Sequence, residues 1–173
     1  MEDTRNVVDE FKGVPQEQII TTLDARYSDY LEIAVDNVTR DFNMGTIIRT
    51  ANAFGVRHVH VIGRKQWNKR GAMMTDTYLH VHYHQTAEEF IQTIQNKTLV
   101  AVDNVEGSRK LSDKGLPRNA VLLFGAEGPG IREELLQKAS EIVAIEQYGS
   151  TRSINVGVAA GIVMYEWVRQ HKR

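Results

Sequence analysis

The sequence predicts an α/β domain in which helices cover both faces of a parallel sheet, and three observations lead there. Short apolar runs recur along the 173 residues, each bounded by polar or glycine-containing segments. Helix-spaced apolar stretches separate the runs, an alternation that calls for βαβ units. The run at residues 121–124, Val-Leu-Leu-Phe, is apolar at every position, which suits a strand buried on both faces. With 42% hydrophobic residues the chain can build one substantial core, and one domain is expected.

Taken in order, residues 1–14 are mixed and unpatterned and read as a mobile or partner-dependent arm. Residues 15–27 read as a helix, because Ile19, Ile20, Leu23 and Tyr27 share one face and Pro15 suits a first turn. Residues 1–30 are therefore assigned to an arm and helix, and residues 31–173 to the α/β domain. A strand over 30–38 ends in the polar turn Thr39-Arg40-Asp41-Phe42-Asn43. A helix over 44–54, closed by Gly55, leads to a strand over 57–62, closed by Gly63. This is a βαβ unit, expected to be right-handed.

Residues 64–76 form a basic, irregular loop, and 80–84 a short or edge strand. A helix over 86–95 starts at Thr86 as N-cap, with Glu89 completing a capping box. A parallel strand over 98–102 and a connection over 103–117 lead into the strand at 121–124. Next come a glycine turn, a helix carrying residues 133–138 with Pro129 in its first turn, a strand over 141–145, a polar turn over 147–155 and an apolar helix over 156–168. The pentapeptide Ala34-Val35-Asp36-Asn37-Val38 recurs as Ala101-Val102-Asp103-Asn104-Val105. Both copies end strands, so similar strand-end demands or chance are favoured over duplication.

Composition excludes several classes. Without cysteine there are no disulfides, thiolate nucleophiles or Cys-ligated zinc, which is compatible with the cytoplasm. No stretch approaches the roughly 20 apolar residues that span a bilayer, and the N-terminus does not resemble a signal peptide. A net charge of −1 argues against nonspecific coating of nucleic acid, so any RNA must meet a local basic patch.

Two neighbouring strand ends carry polar loops, the place where open α/β sheets hold small molecules. There is no dinucleotide or phosphate-loop glycine fingerprint. A ligand read by backbone and an apolar slot fits Leu122, Leu123, Gly125, Gly128, Ile145 and Ile154 better. Glu127 could complement the N-terminus of the following helix, and Ser153 and Asn155 could be cap and turn residues. Arg49, set among apolar positions, calls for an anionic or carbonyl partner. His58 and His60, and His80, His82 and His84, alternate as on strand faces; lacking a carboxylate at matched spacing, they predict a wetted sheet face and no metal. Arg64, Lys65, Lys69, Arg70 and Arg109, Lys110, Lys114, Arg118 form basic clusters, Arg169, Lys172 and Arg173 a third patch. Trp67 offers a stacking surface for an unpaired base.

Three segments carry a family resemblance. Asn43-Met44-Gly45-Thr46-Ile47-Ile48-Arg49-Thr50-Ala51, Phe124-Gly125-Ala126-Glu127-Gly128-Pro129-Gly130-Ile131 and Ser153-Ile154-Asn155-Val156 resemble the three ordered motifs of the SpoU/TrmH branch of the SPOUT RNA methyltransferases. The pattern alone predicts an unknotted sheet. The resemblance implies a SPOUT (α/β-knot) domain with a C-terminal trefoil knot, and a homodimer with Trp167 and Tyr165 as interface anchors. It also implies S-adenosyl-L-methionine as cofactor, held by Leu123, Phe124, Gly125, Glu127, Gly128, Ile145, Gln147, Tyr148, Ser153, Ile154 and Asn155.

The implied reaction is methyl transfer to a ribose 2′-hydroxyl of RNA. Arg49 would anchor the neighbouring phosphate and stabilise the developing alkoxide, while Asn43, Glu127, Ser153 and Asn155 hold the geometry. Arg64, Lys65, Lys69, Arg70 and Arg109 would meet RNA phosphates. Two departures from the family pattern stand out: Glu146-Gln147 where Pro-Met is common, and Gly157 where serine is. The segment Gln147-Tyr148-Gly149-Ser150-Thr151-Arg152-Ser153 resembles the variant in larger eukaryotic tRNA guanosine methyltransferases, which favours tRNA and a guanosine in the D-loop. Ribosomal RNA, or a catalytically silent dimeric RNA-binding module, are the alternatives.

Overall fold

The computed structural model describes residues 3–27, 31–37 and 43–172. Its sheet consists of β1 (Glu32–Asn37), β2 (His58–Gly63), β3 (His80–His84), β4 (Thr98–Val102), β5 (Arg109–Lys110), β6 (Ala120–Phe124) and β7 (Glu141–Ala144). Every pairing is parallel, in the order β3-β2-β1-β6-β4-β7-β5. Helices α1 (Gln16–Tyr27), α2 (Met44–Ala53), α3 (Ala87–Thr93), α4 (Glu133–Leu136) and α5 (Val156–His171) cover it. Tyr30, Val38 and the polar turn expected over residues 39–42 lie outside the described residues.

The all-apolar run makes β6 the central strand, fully buried between β1 and β4. Its side chains alternate across the sheet, as strand geometry requires. Leu122 and Phe124 join Ile47, Ile48 and Met164 on one face, and Val121 and Leu123 join Phe90 and Leu135 on the other. Thr86 caps α3 by accepting from Glu89 N–H, and the Glu89 carboxylate accepts from Gln85 N–H, a capping box with its return bond one residue earlier than expected.

Four expectations are corrected. The arm packs on its own chain, since Phe11 is buried with Ile19 and Tyr78 in a small third cluster. Trp167 is no interface anchor: it is 1% exposed within this chain, and its indole N–H donates to Pro117 O at 2.9 Å. The basic loop is structured by two 3₁₀ turns, Lys69–Ala72 and Thr75–Tyr78. Helix α4 begins at Glu133 with Arg132 as its cap, leaving Pro129 in the turn before it.

The edge of the sheet holds an arrangement that spacing alone could not complete. Because β2 and β3 run parallel in register, their histidines interleave into one stack: His80, His58, His82, His60, His84. Successive ring centroids lie 5.0 to 5.2 Å apart, and Phe90 closes one end. Hydrogen bonds of 2.9 Å join His58 Nδ1 to His82 Nε2 and His60 Nδ1 to His84 Nε2. Carboxylates do partner the array, but from other elements. Asp24 of α1 bonds His80 and Arg57, and Glu32 of β1 bonds His60 and Lys97.

Each joined pair needs one nitrogen to donate and the other to accept, which suits neutral rings. Burial first, and neighbouring imidazoles second, hold His82 down to about 4. Burial likewise lowers His58 and His84 from 6.5. An unfolded chain binds these protons near pH 6.5 and the folded chain only below it, so stability falls as pH drops from about 6.5 toward 4. Glu32 acts the same way at lower pH. Burial would raise its carboxyl, but the bonds from His60 and Lys97 outweigh that and bring it to about 2, so its contribution is lost as pH falls below about 4.5. Thermal unfolding is expected to show Tm level above about pH 7 and falling below about 6.5. A Tm unchanged down to pH 5 contradicts the lowered titration of His58, His82 and His84.

Candidate active site

The chain leaves β6 at Phe124 and folds back at once. Ala126 and Gly130 exchange backbone hydrogen bonds of 3.2 and 3.0 Å, closing a tight loop. Gly125 must be glycine here, because a Cβ would lie 2.2 Å from the Gly130 carbonyl carbon. Gly128 and Gly130 take φ of +95° and +71°, a region side chains disfavour.

Two aspartates clamp this loop from the flanking strands. Asp103, after β4, accepts from Ile131 N–H at 3.2 Å. Asp36, 0% exposed on β1, accepts from Arg132 N–H at 3.0 Å and from its Nε at 2.9 Å. These are the matching positions of the repeated pentapeptide. The asparagines match too: Asn37 donates to Arg64 O and Asn104 to Arg152 O, tying one further loop each. Similar strand-end demands account for the repeat, and the functional weight of Asp36 and Asp103 was signalled only by that repetition.

Glu127 sits at the tip of the loop. Its two carboxylate oxygens accept from Asn43 Nδ2 and Asn155 Nδ2, each at 3.0 Å, and Asn155 Nδ2 also reaches Asn43 Oδ1 at 2.9 Å. Asn155 Oδ1 accepts from Gly157 and Val158 N–H, capping α5. Three residues far apart in sequence are thus held as one hydrogen-bonded cluster, a single carboxylate fixed by two amides. The expected pairing of Glu127 with a helix N-terminus is not made, because α4 begins six residues later at Glu133. Glu146, in place of the family's proline, accepts from the Ser112 hydroxyl, which anchors the loop by a bond rather than by a stiff ring. Gly157 lies against Thr46 of α2.

A cavity of about 210 Å³ opens beside the cluster. It is lined by Phe124, Gly125, Glu127, Gly128, Ile145, Gln147, Ser153 and Ile154, as expected, and by Val102, Asp103 and Asn104, which sequence reasoning missed. Leu122 and Leu123 are buried in the sheet instead. Tyr148 is 95% exposed and lies off the cavity wall. Gln147 Oε1 is buried with no hydrogen-bond partner among the described residues, an acceptor suited to an amine or amide N–H of a ligand.

Arg49 is elsewhere. Helix rotation turns Met44, Ile47, Ile48 and Ala51 inward and Arg49 outward, so the expected near-core guanidinium is exposed. It lines a second, larger cavity of about 590 Å³ with Asn52, Phe54 and Tyr27. Arg64, Lys65, Lys69 and Arg70 are exposed. Arg109 is not open to a phosphate: on the far edge strand it forks onto Glu141 at 2.8 and 3.1 Å.

The SpoU rRNA Methylase family pattern matches residues 30–165. The chain is 28% identical over 153 residues to the tRNA (guanosine(18)-2′-O)-methyltransferase of Escherichia coli (strain K12), covering 86% of this chain and 67% of that enzyme. Among solved structures it resembles the A. aeolicus TrmH/SpoU tRNA modifying enzyme, with a TM-score of 0.78, 25% identity, and coverage of 91% and 84%. It also resembles an AdoMet-bound rRNA methyltransferase from Sinorhizobium meliloti, with a TM-score of 0.73 and 28% identity, covering 82% of this chain and 57% of that one.

Proposed function

The chain belongs to the SpoU rRNA Methylase family, and from that membership we propose that it transfers a methyl group from S-adenosylmethionine to a ribose 2′-hydroxyl of RNA. A guanosine of tRNA is favoured, since the E. coli relative is named for that reaction. The observation that carries the reading is the closed Asn43–Glu127–Asn155 cluster on the rim of a glycine-walled cavity.

The cofactor fits this cavity. Phe124, Val143, Ile145 and Ile154 give apolar walls, Gly125, Gly128 and Gly130 bare backbone, and Gln147 Oε1 an open acceptor. When bound, S-adenosylmethionine supplies an already activated methyl group. The residues therefore have to align and deprotonate the ribose oxygen, and alignment alone can supply on the order of 7 to 11 kcal/mol. Glu127, oriented by two amides, and Ser153 position the ribose; Arg49 holds the adjacent phosphate and stabilises the alkoxide. The planar, donor-only fork of its guanidinium suits that role better than proton removal.

The protein acts as a homodimer in this reading. Val158, Ile162 and Tyr165 leave an exposed apolar stripe along α5, at 54%, 40% and 57% exposure. Arg49 stands six residues beyond Asn43, about 9 Å along α2 and on another side of it, so it does not face its own cavity. A second copy brings Arg49 to the cluster. The trefoil threading is supported by α5 packing beneath the connection before β6, where Gln170 Oε1 accepts from Leu116 N–H at 2.7 Å and His171 donates to Leu116 O. No helix among the described residues is long and apolar enough to cross a membrane, and the cytoplasm is the proposed location.

Titration calorimetry with S-adenosylmethionine and its demethylated product tests the cofactor assignment. Saturable binding of both is expected. No heat from either at millimolar concentration contradicts it.

A further inference from the structure

We propose that Trp67 and Tyr83, flanked by Lys65 and Lys69, form a stacking platform for an unpaired RNA base beside the target nucleotide; this rests on the methyl-transfer reading above. Trp67 follows β2 in the basic loop and Tyr83 lies on β3, sixteen residues apart in sequence. The structure joins them. The Trp67 indole N–H reaches Tyr83 Oη at 3.4 Å, while Trp67 rests on the main core and Tyr83 stays 39% exposed. Lys65 Nζ stands 5.0 Å from the Tyr83 ring centre and Lys69 Nζ 5.4 Å from that of Trp67.

Each ring carries a lysine ammonium over it, on a half-exposed Tyr83 and a partly buried Trp67; a nucleotide can take that place, its base on the ring and its phosphate on the displaced lysine. Arg64, Lys65, Lys69 and Arg70 put four positive charges into seven residues of a chain whose net charge is −1. Only Lys69 has a carboxylate ion-pair partner among the described residues, Asp76 at 2.8 Å. Such crowding is unfavourable unless an anion relieves it, and a phosphate chain does.

The platform is tied to the site it would serve. A Cβ on Gly45 would lie 2.7 Å from Ala72 N and 2.8 Å from Gly71 Cα, so the basic loop rests backbone to backbone on the first turn of α2. Asn43, which bonds Glu127, precedes that turn. Asn37 fixes the near end of the loop through Arg64 O, and Asn68 Oδ1 accepts from Arg70 N–H within it. Tyr83 is on β3, three strand spacings or roughly 14 Å from β6. A base held there is therefore a neighbour of the methylated nucleotide, not the nucleotide itself.

The test uses the full chain with saturating S-adenosylmethionine and, as probes, an unmodified tRNA transcript and unmodified ribosomal RNA. Tyr83→Leu is expected to weaken binding of whichever unmodified probe is the substrate about tenfold without changing the salt slope. Tyr83→Phe keeps the ring and stays near wild type. Lys65→Gln with Lys69→Gln lowers the slope by about two. Emission from Trp67, separated from buried Trp167 by a Trp167→Phe background, is quenched by RNA. Tyr83→Leu with wild-type RNA affinity and unquenched Trp67 emission overturns the platform while methyl transfer stands. Loss of self-association in Tyr83→Leu, with RNA binding unchanged, makes the patch a protein contact and also overturns it. A wild-type chain that binds cofactor but neither RNA overturns the functional reading itself.

Discussion

Arg49→Ala abolishes methyl transfer, with a loss of about a hundredfold or more, while S-adenosylmethionine affinity stays within about threefold. The split follows from placement: Arg49 lines the larger cavity beside α2, and no part of it borders the glycine-walled one. Arg49→Lys rescues little, because an ammonium lacks the planar fork that grips a phosphate and an alkoxide together. A stronger version uses two chains. Arg49→Ala and Glu127→Ala are each silent alone, and co-expressed they form mixed dimers in which one site has both wild-type residues. Activity regained in the mixture supports a site shared between copies. A silent mixture, with mixed dimers verified, assigns Arg49 to its own chain.

The second large effect is at Gly125. Gly125→Ala places a methyl 2.2 Å from Gly130 C and 2.5 Å from Ile131 N, both backbone atoms that the Ala126–Gly130 bonds and the Asp103 clamp hold in place. The loop has to open. Overpacking of this kind costs about 1 to 3 kcal/mol, so cofactor affinity falls about 5- to 150-fold, as read by calorimetry on protein whose Tm verifies folding. Affinity within about threefold of wild type would show that the loop does not shape the cavity wall.

The sequence was most informative where periodicity and burial agree. The unbroken apolar run 121–124 became the central strand, and the glycines after it became the cavity wall. It was least informative where function depends on elements distant in the chain. That Glu127 bonds Asn43 and Asn155 needs three loops to meet, and no local pattern encodes the meeting. The histidine alternation was visible, but its carboxylates come from α1 and β1, so spacing within the strands could not find them. Arg49 illustrates the reverse error: neighbours in sequence suggested a core setting, whereas 100° of helix rotation per residue turns it outward. Tyr148, assigned to the cofactor by position in a motif, points to solvent.

Incubation with methyl-labelled S-adenosylmethionine and separate pools of unmodified tRNA and ribosomal RNA, followed by mapping of the alkali-resistant linkage, tests the central claim most directly. The expected result is label on one ribose 2′-oxygen, in a tRNA guanosine, absent when Arg49→Ala or Glu127→Ala replaces the wild type. Label confined to ribosomal RNA would move the substrate and keep the chemistry. Label on no RNA, under conditions where the cofactor is shown to bind, would contradict the account.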